Sequence, residues 1–160
     1  MQDSTPKAIP GATPEVPLIV ARHLGPLVGY AWFVLHDRTE AEDVAQETLI
    51  RLLDKAATWQ PNEAALRTWL YRVATNLCID RKRAFGRLIR HAKHRLEDVP
   101  DVSTLEADAD RRRAVHRALA GLPQRQRFAI VLVHYQGLTN PEAATVMETT
   151  IESVEALLAR

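Results

Sequence analysis

One cysteine, Cys78, stands in the 160 residues, so no disulfide can form within the chain. It sits among apolar residues at helical spacing, the setting of a small buried side chain. No histidine or acid is tied to it in sequence, so a catalytic thiol has no support. No apolar run is expected to reach membrane-spanning length. The N-terminus lacks the basic-then-apolar order of a secretory signal. A cytoplasmic protein without membrane insertion is the expectation. His91 and His94 are spaced like metal ligands, but no cysteine or further histidine completes a set, and they read as surface residues. No nucleophile–base pair is present either. No catalytic residue, metal or cofactor is therefore expected. An excess of charge of one sign is also missing, since 21 Lys and Arg face 20 Asp and Glu.

That average hides segregation. Arg81 to Arg95 is strongly basic and Glu97 to Asp110 mostly acidic. A local basic field matters more to a polyanion than net charge does. Hydrophobic residues make up 46%, enough to bury a core in one ordinary domain or two small ones.

Residues 1–17 carry Pro6, Pro10, Pro14 and Pro17, which block regular helix and predict a mobile tail. Leu18 to Leu35 has the spacing of a core helix, with Gly25-Pro26 as a point of kink or restart. His36-Asp37-Arg38 is a turn. Thr39-x-x-Glu42 has the pattern of a capping box and predicts a helix to about Thr58. Its buried stripe is Ala41, Val44, Ala45, Leu49, Leu52, Leu53 and Ala56. Its outer face shows Glu40, Asp43, Gln46, Glu47 and Ile50. Asp43 and Glu47 are like charges at i,i+4, which destabilises a helix slightly, and Arg51 offsets part of that. This face is either solvated or a dock for a basic partner.

Trp59 to Glu63 breaks the helix. Leu66 to Arg83 then places Leu66, Leu70, Val73 and Leu77 on a core face, with Thr68, Arg72, Thr75, Asn76, Ile79 and Arg83 on another. Cations attract phosphates, and amides and aromatics meet bases. The basic part beyond is expected to extend this helix past Gly86. Residues 96–107 have no period and contain Pro100, and read as a linker. Arg111 to Leu122 is a helix with Val115, Ala118, Leu119 and Leu122 inward. Pro123 fits the first turn of the next, whose stripe is Phe128, Val131, Leu132 and Tyr135, with Gly137 as its C-terminal cap. Thr139 to Glu142 is a second capping box. Short helices at Pro141–Met147 and Thr150–Arg160 make a helix-turn-helix candidate.

In this order the pieces resemble the extracytoplasmic-function class of bacterial sigma factors, over nearly all of Leu18 to Arg160. Three stretches carry the resemblance: Thr39 to Leu52; Arg67 to Arg81; and Leu119 to Arg127 with Gly137-Leu138-Thr139 and Glu142. The resemblance implies an all-α protein of two small helical domains. Residues 18–95 correspond to sigma region two and residues 108–160 to region four. It implies a non-enzymatic promoter-specificity subunit that binds core RNA polymerase and promoter DNA. An anti-sigma factor is a further implied partner.

The resemblance also assigns residues. Asp43, Gln46, Glu47 and Ile50 would dock on the polymerase clamp helices. Gln60, Pro61 and Asn62 would capture a flipped base, and Trp69, Arg72, Asn76 and Arg83 would read and melt the minus-ten element. Leu70 stands where housekeeping sigma factors carry an aromatic. Thr139, Thr150, Glu152, Ser153, Ala156 and Arg160 would meet the minus-thirty-five element. The chain departs from the family pattern in this half: Glu148 replaces a glycine, Thr149 an apolar residue and Ala143 a larger aliphatic one, and the family's further arginines have no counterpart after Arg160. Two other readings stay open: a stand-alone helix-turn-helix regulator, and a helical interaction module with a degenerate DNA-binding half.

Overall fold

A computed structural model describes residues 16–59, 61–89 and 106–160, without the side chains of 87–89 and 106–109. All regular structure among these residues is helical. Helix α1 spans Val16–Leu35, α2 Arg38–Ala56, α3 Glu63–Ile89, α4 Glu106–Ala120, α5 Gln124–Ile130, α6 Asn140–Val146 and α7 Ile151–Leu158. The tail and most of the expected linker lie outside the described residues, as does Gln60.

Helix α1 buries His23, Leu27, Tyr30, Ala31 and Val34, one stripe at steps of three and four. It runs through Gly25-Pro26 without restarting. Pro26 withholds an N–H from the Arg22 carbonyl, but both residues are exposed, where water can serve that group. Contrary to expectation, α1 is long and apolar enough to cross a membrane by length and composition. Its buried stripe gives that apolarity a core role.

The start of α2 differs from expectation. Asp37, not Thr39, is the N-cap, and its side chain accepts from the Glu40 N–H at 2.9 Å. An aspartate is at least as good a cap as a threonine, and Asp37 is extended while Thr39 is already helical. Ala41, Val44, Ala45, Leu49 and Leu52 are buried as expected, but Leu53 is 45% exposed. Thr48 takes an inward position instead, returning its hydroxyl to the Val44 carbonyl at 2.7 Å. Asn62 starts α3, its side chain accepting from the Ala65 N–H.

In α3, Leu66, Leu70 and Leu77 are buried with Tyr71, Ala74 and Cys78. Burial pushes the Cys78 thiol up to about 12, so it is an inert core group. Thr75 was expected on the polar side but is buried. Its hydroxyl meets Tyr30 Oη at 2.6 Å and donates to the Tyr71 carbonyl. A buried phenol needs such a partner, and a Thr bonded to its own helix supplies one.

In the C-terminal half, α4 starts earlier than expected. Ala118 is exposed and His116 is buried in its place. Pro123 is the N-cap of α5 rather than a residue of its first turn. After Ile130 the helix widens into a π turn at Val131–Tyr135, and Gln136 N–H donates to the Val131 carbonyl. Gly137 then turns left-handed at φ 70° and Leu138 N–H reaches the Leu132 carbonyl, closing the end as expected. Phe128, Val131 and Leu132 are buried, while Tyr135 is 47% exposed.

The halves are packed together. Phe128 of α5 stacks on Tyr30 of α1 with centroids 6.3 Å apart, and Tyr71 meets the same Tyr30 ring edge-on at 5.2 Å. Tyr30 is thus the aromatic centre shared by both units.

Candidate functional site

Three exposed faces carry the residues named from sequence. The first is the outer side of α2. Asp43, Gln46 and Ile50 are exposed and Glu47 is half-buried. Arg81 reaches across from α3 to this face. It bonds Glu40, lies 3.4 Å from Glu47 and 3.9 Å from Asp43. Glu47 also pairs with Arg51 at 2.7 Å. The cation that offsets the Asp43/Glu47 repulsion therefore comes from another helix as well as from α2. These carboxylates remain partly open to solvent.

The second face lies on α3. Arg72, Asn76 and Arg83 are all exposed, and Arg72 and Asn76 are one turn apart. Trp69 is half-buried beside Trp59, centroids 5.4 Å apart, with Lys55 Nζ over both rings. That tilted ring contact holds Trp59, two residues before Pro61, against α3. Pro61 is half-buried and Asn62 exposed.

The third face is the helix pair α6 and α7. The expected capping box is present: Thr139 accepts from Glu142 N–H and Glu142 accepts from Thr139 N–H. Thr150 is the N-cap of α7, accepting from Ser153 N–H and lying 3.0 Å from Ser153 Oγ. Both hydroxyls are thus already engaged in starting the helix. Glu152, Ala156 and Arg160 are exposed. The Glu152 carboxyl is held below its ordinary value by its own backbone N–H and by Thr150. Glu148, in the turn between the two helices, is left-handed at φ 51°.

The second and third faces meet. Glu148 accepts from Arg72 Nη2 at 2.9 Å and Nε at 3.1 Å. Glu142 lies 3.3 Å from Arg67, and Tyr71 Oη donates to Gln136 at 2.6 Å. Burial pushes the Tyr71 phenol up to about 12, so it stays a donor. A cleft of about 400 Å³ remains between α3 and the C-terminal half, lined by Asn76, Lys82, Arg83, Arg125 and Phe128 among others. The structure brings Arg72, Asn76 and Arg83 to the seam between the halves, and leaves Thr150, Ser153 and Ala156 apart from them.

A second seam was not foreseen. Arg127 is buried, and donates to the carbonyls of Leu119, Ala120 and Leu122 at the end of α4. Its Nη1 also reaches the Val34 carbonyl at 3.4 Å and His36 Nε2 at 2.9 Å. Carbonyl ends of helices carry partial negative charge and stabilise a cation there. His36 is left-handed at φ 60° and its Nδ1 lies 2.6 Å from Nε2 of His116. His116 in turn stacks on Trp32 at 4.2 Å. The sequence signal was weak: one of two arginines in a polar run and two histidines 80 residues apart.

Comparisons with known proteins agree with the order of these modules. The Sigma-70 region 2 model matches residues 19–88, and the Sigma-70, region 4 model matches residues 112–160. The chain is 33% identical over 121 residues to the ECF RNA polymerase sigma factor SigM of Mycobacterium tuberculosis, covering 76% of this chain and 60% of SigM. It therefore spans less than two thirds of that relative's length. It is 31% identical over 139 residues to the ECF RNA polymerase sigma factor SigL of the same species, covering 82% of this chain and 77% of SigL. Its fold is similar to that of the sigma factor RpoE of Bartonella quintana, in complex with the anti-sigma factor NepR. The TM-score is 0.73 at 21% identity, over 92% of each chain.

Proposed function

Because the chain belongs to the ECF RNA polymerase sigma factors, with both its region 2 and its region 4, we propose that it is a promoter-specificity subunit of bacterial RNA polymerase. It works in the cytoplasm, contributes no catalytic group, and leaves the chemistry to the polymerase. Asp43, Gln46, Glu47 and Ile50 on α2 dock on core polymerase through their acidic, solvent-open face. Arg72, Asn76 and Arg83 on α3, with Trp69 and the 60–62 loop, hold and open the minus-ten element. Thr139, Thr150, Glu152, Ser153, Ala156 and Arg160 face the minus-thirty-five element.

One observation carries this reading furthest. The exposed cationic face of α3 and a helix-turn-helix pair occur in one chain, and the pair's turn residue Glu148 occupies Arg72. A carboxylate on that guanidinium stands where a DNA phosphate would bind. The packed form is then a resting state, and binding to core polymerase must separate the halves. An anti-sigma factor would act by holding this packed state. Run-off transcription with purified core polymerase tests the reading. Promoter-specific transcripts should appear with the chain and vanish without it. Tight, sequence-specific duplex binding with no transcript would favour a stand-alone regulator.

A further inference from the structure

We infer that the seam formed by His36, His116 and Arg127 is an acid-sensitive lock, which holds the two halves together only while both histidines are neutral. The inference stands on the packing of the halves and not on the transcriptional role.

Hydrogen-bond directions leave one arrangement. A guanidinium only donates. Arg127 Nη1 is 2.9 Å from His36 Nε2, so that nitrogen accepts and carries no proton. The proton of neutral His36 is then on Nδ1, 2.6 Å from His116 Nε2, which must accept in turn. Protonating His36 sets an N–H against an Arg127 N–H. Protonating His116 sets two ring N–H groups against each other. Either event converts a hydrogen bond into a donor–donor contact and adds a positive charge beside a buried guanidinium.

Among the described residues nothing nearby absorbs that charge. Lys82 of α3 adds another cation near His36. The Asp37 side chain is turned to the Glu40 N–H at the start of α2. The Trp32 backbone favours protonation of His116, but burial and Arg127 outweigh it. Among the described residues no carboxylate touches either ring or the guanidinium.

The three groups come from the α1–α2 turn, α4 and α5, so separating the halves pulls them apart. Released, each imidazole regains its ordinary value of 6.5. Packed, burial and then His116 and Arg127 hold His36 at about 4, and burial holds His116 down as well. The linkage sign follows. A depressed value favours the packed form fully above 6.5, and this advantage is lost as pH falls towards 4. From His36 alone the packed-to-open ratio should fall about tenfold between pH 7.5 and 5.5.

The test uses the full chain with donor and acceptor dyes at Asp54→Cys and Glu155→Cys, both exposed. Energy transfer should fall between pH 7.5 and 5.5 while helix content by circular dichroism stays constant. The double variant His36→Asn, His116→Gln cannot titrate at the seam and should show a flat profile; Asn tolerates the left-handed backbone. A flat profile in the parent chain, or the same pH response in the double variant, would overturn the inference. Should the double variant be open at pH 7.5, histidine NMR titration of the parent chain decides. His36 shifting with the opening transition and below its ordinary value supports the lock. Titration of His36 at its ordinary value in a chain that stays packed overturns it.

Discussion

Glu148 and Arg72 meet at 2.9 Å although 76 residues separate them. One belongs to the turn of the helix-turn-helix, the other to the exposed face of α3. The position of Glu148 favours glycine, because its φ of 51° crowds a Cβ against the backbone. The chain keeps a carboxylate there, and that carboxylate occupies the Arg72 guanidinium.

Replacing Glu148 with glycine should free Arg72 and relax the turn. Both partners are about half exposed, so the pair contributes at most about 1 kcal/mol. Energy transfer between the halves should decrease modestly. Binding of single-stranded minus-ten DNA by the full chain should tighten by up to about fivefold. Glu148→Gln should fall between. No change in either variant would remove Glu148 as a competitor for DNA.

Glu47→Lys and Asp43→Lys should each weaken binding to core polymerase at least about tenfold, as lost charge complementarity across an interface commonly does. Both substitutions also disturb the Arg81 cluster. Arg81→Ala is therefore the control for effects on the fold. A core-binding titration of the folded variants that shows unchanged affinity would rule out the docking role.

Asn76→Ala should reduce promoter melting without a stability cost, since the side chain is exposed and no hydrogen bond holds it among the described residues. Trp69→Ala should reduce melting and also loosen Trp59, because it removes the tilted ring contact with Trp59 and a cation–π contact with Lys55. Permanganate reactivity reports the melting and thermal unfolding reports the loosening. Full reactivity in both variants would contradict the minus-ten assignment.

Helix α7 places Glu152 and Glu155 on exposed positions and carries no Lys or Arg between Ile151 and Leu158. Duplex affinity depends on phosphates neutralised. Binding of a minus-thirty-five duplex should therefore be weak, with a shallow salt dependence. Glu152→Lys should tighten it and steepen the log–log salt slope by about 0.9. Strong, salt-sensitive binding by the unsubstituted chain would mean that another face meets the DNA.

Tyr30→Phe removes a fully buried hydroxyl from Thr75 and should cost about 1–2 kcal/mol in denaturant unfolding. Leu70→Ala, at a fully buried site, should cost about 2–5 kcal/mol. If both changes prove silent, Tyr30 is not the centre of the packed core.

Much of this protein was legible in the sequence. The helices of both halves follow from apolar residues three and four apart. The Thr139/Glu142 box and Gly137 close their helix ends as local chemistry dictates. These signals act within a few residues, so the chain alone carries them. Motif order identified the family for the same reason. Other features needed the tertiary structure. Asp37 and Thr39 are both good caps, and the path of the α1–α2 turn chose between them. Periodicity placed Thr75 on a polar side, but the Tyr30 hydroxyl drew it inside. Local spacing gave no sign that Arg127 would bind carbonyls at the ends of two different helices, or that Glu148 would reach Arg72. Those contacts join residues far apart in sequence. They exist because a buried or desolvated polar group takes whichever partner the packing of whole helices brings near.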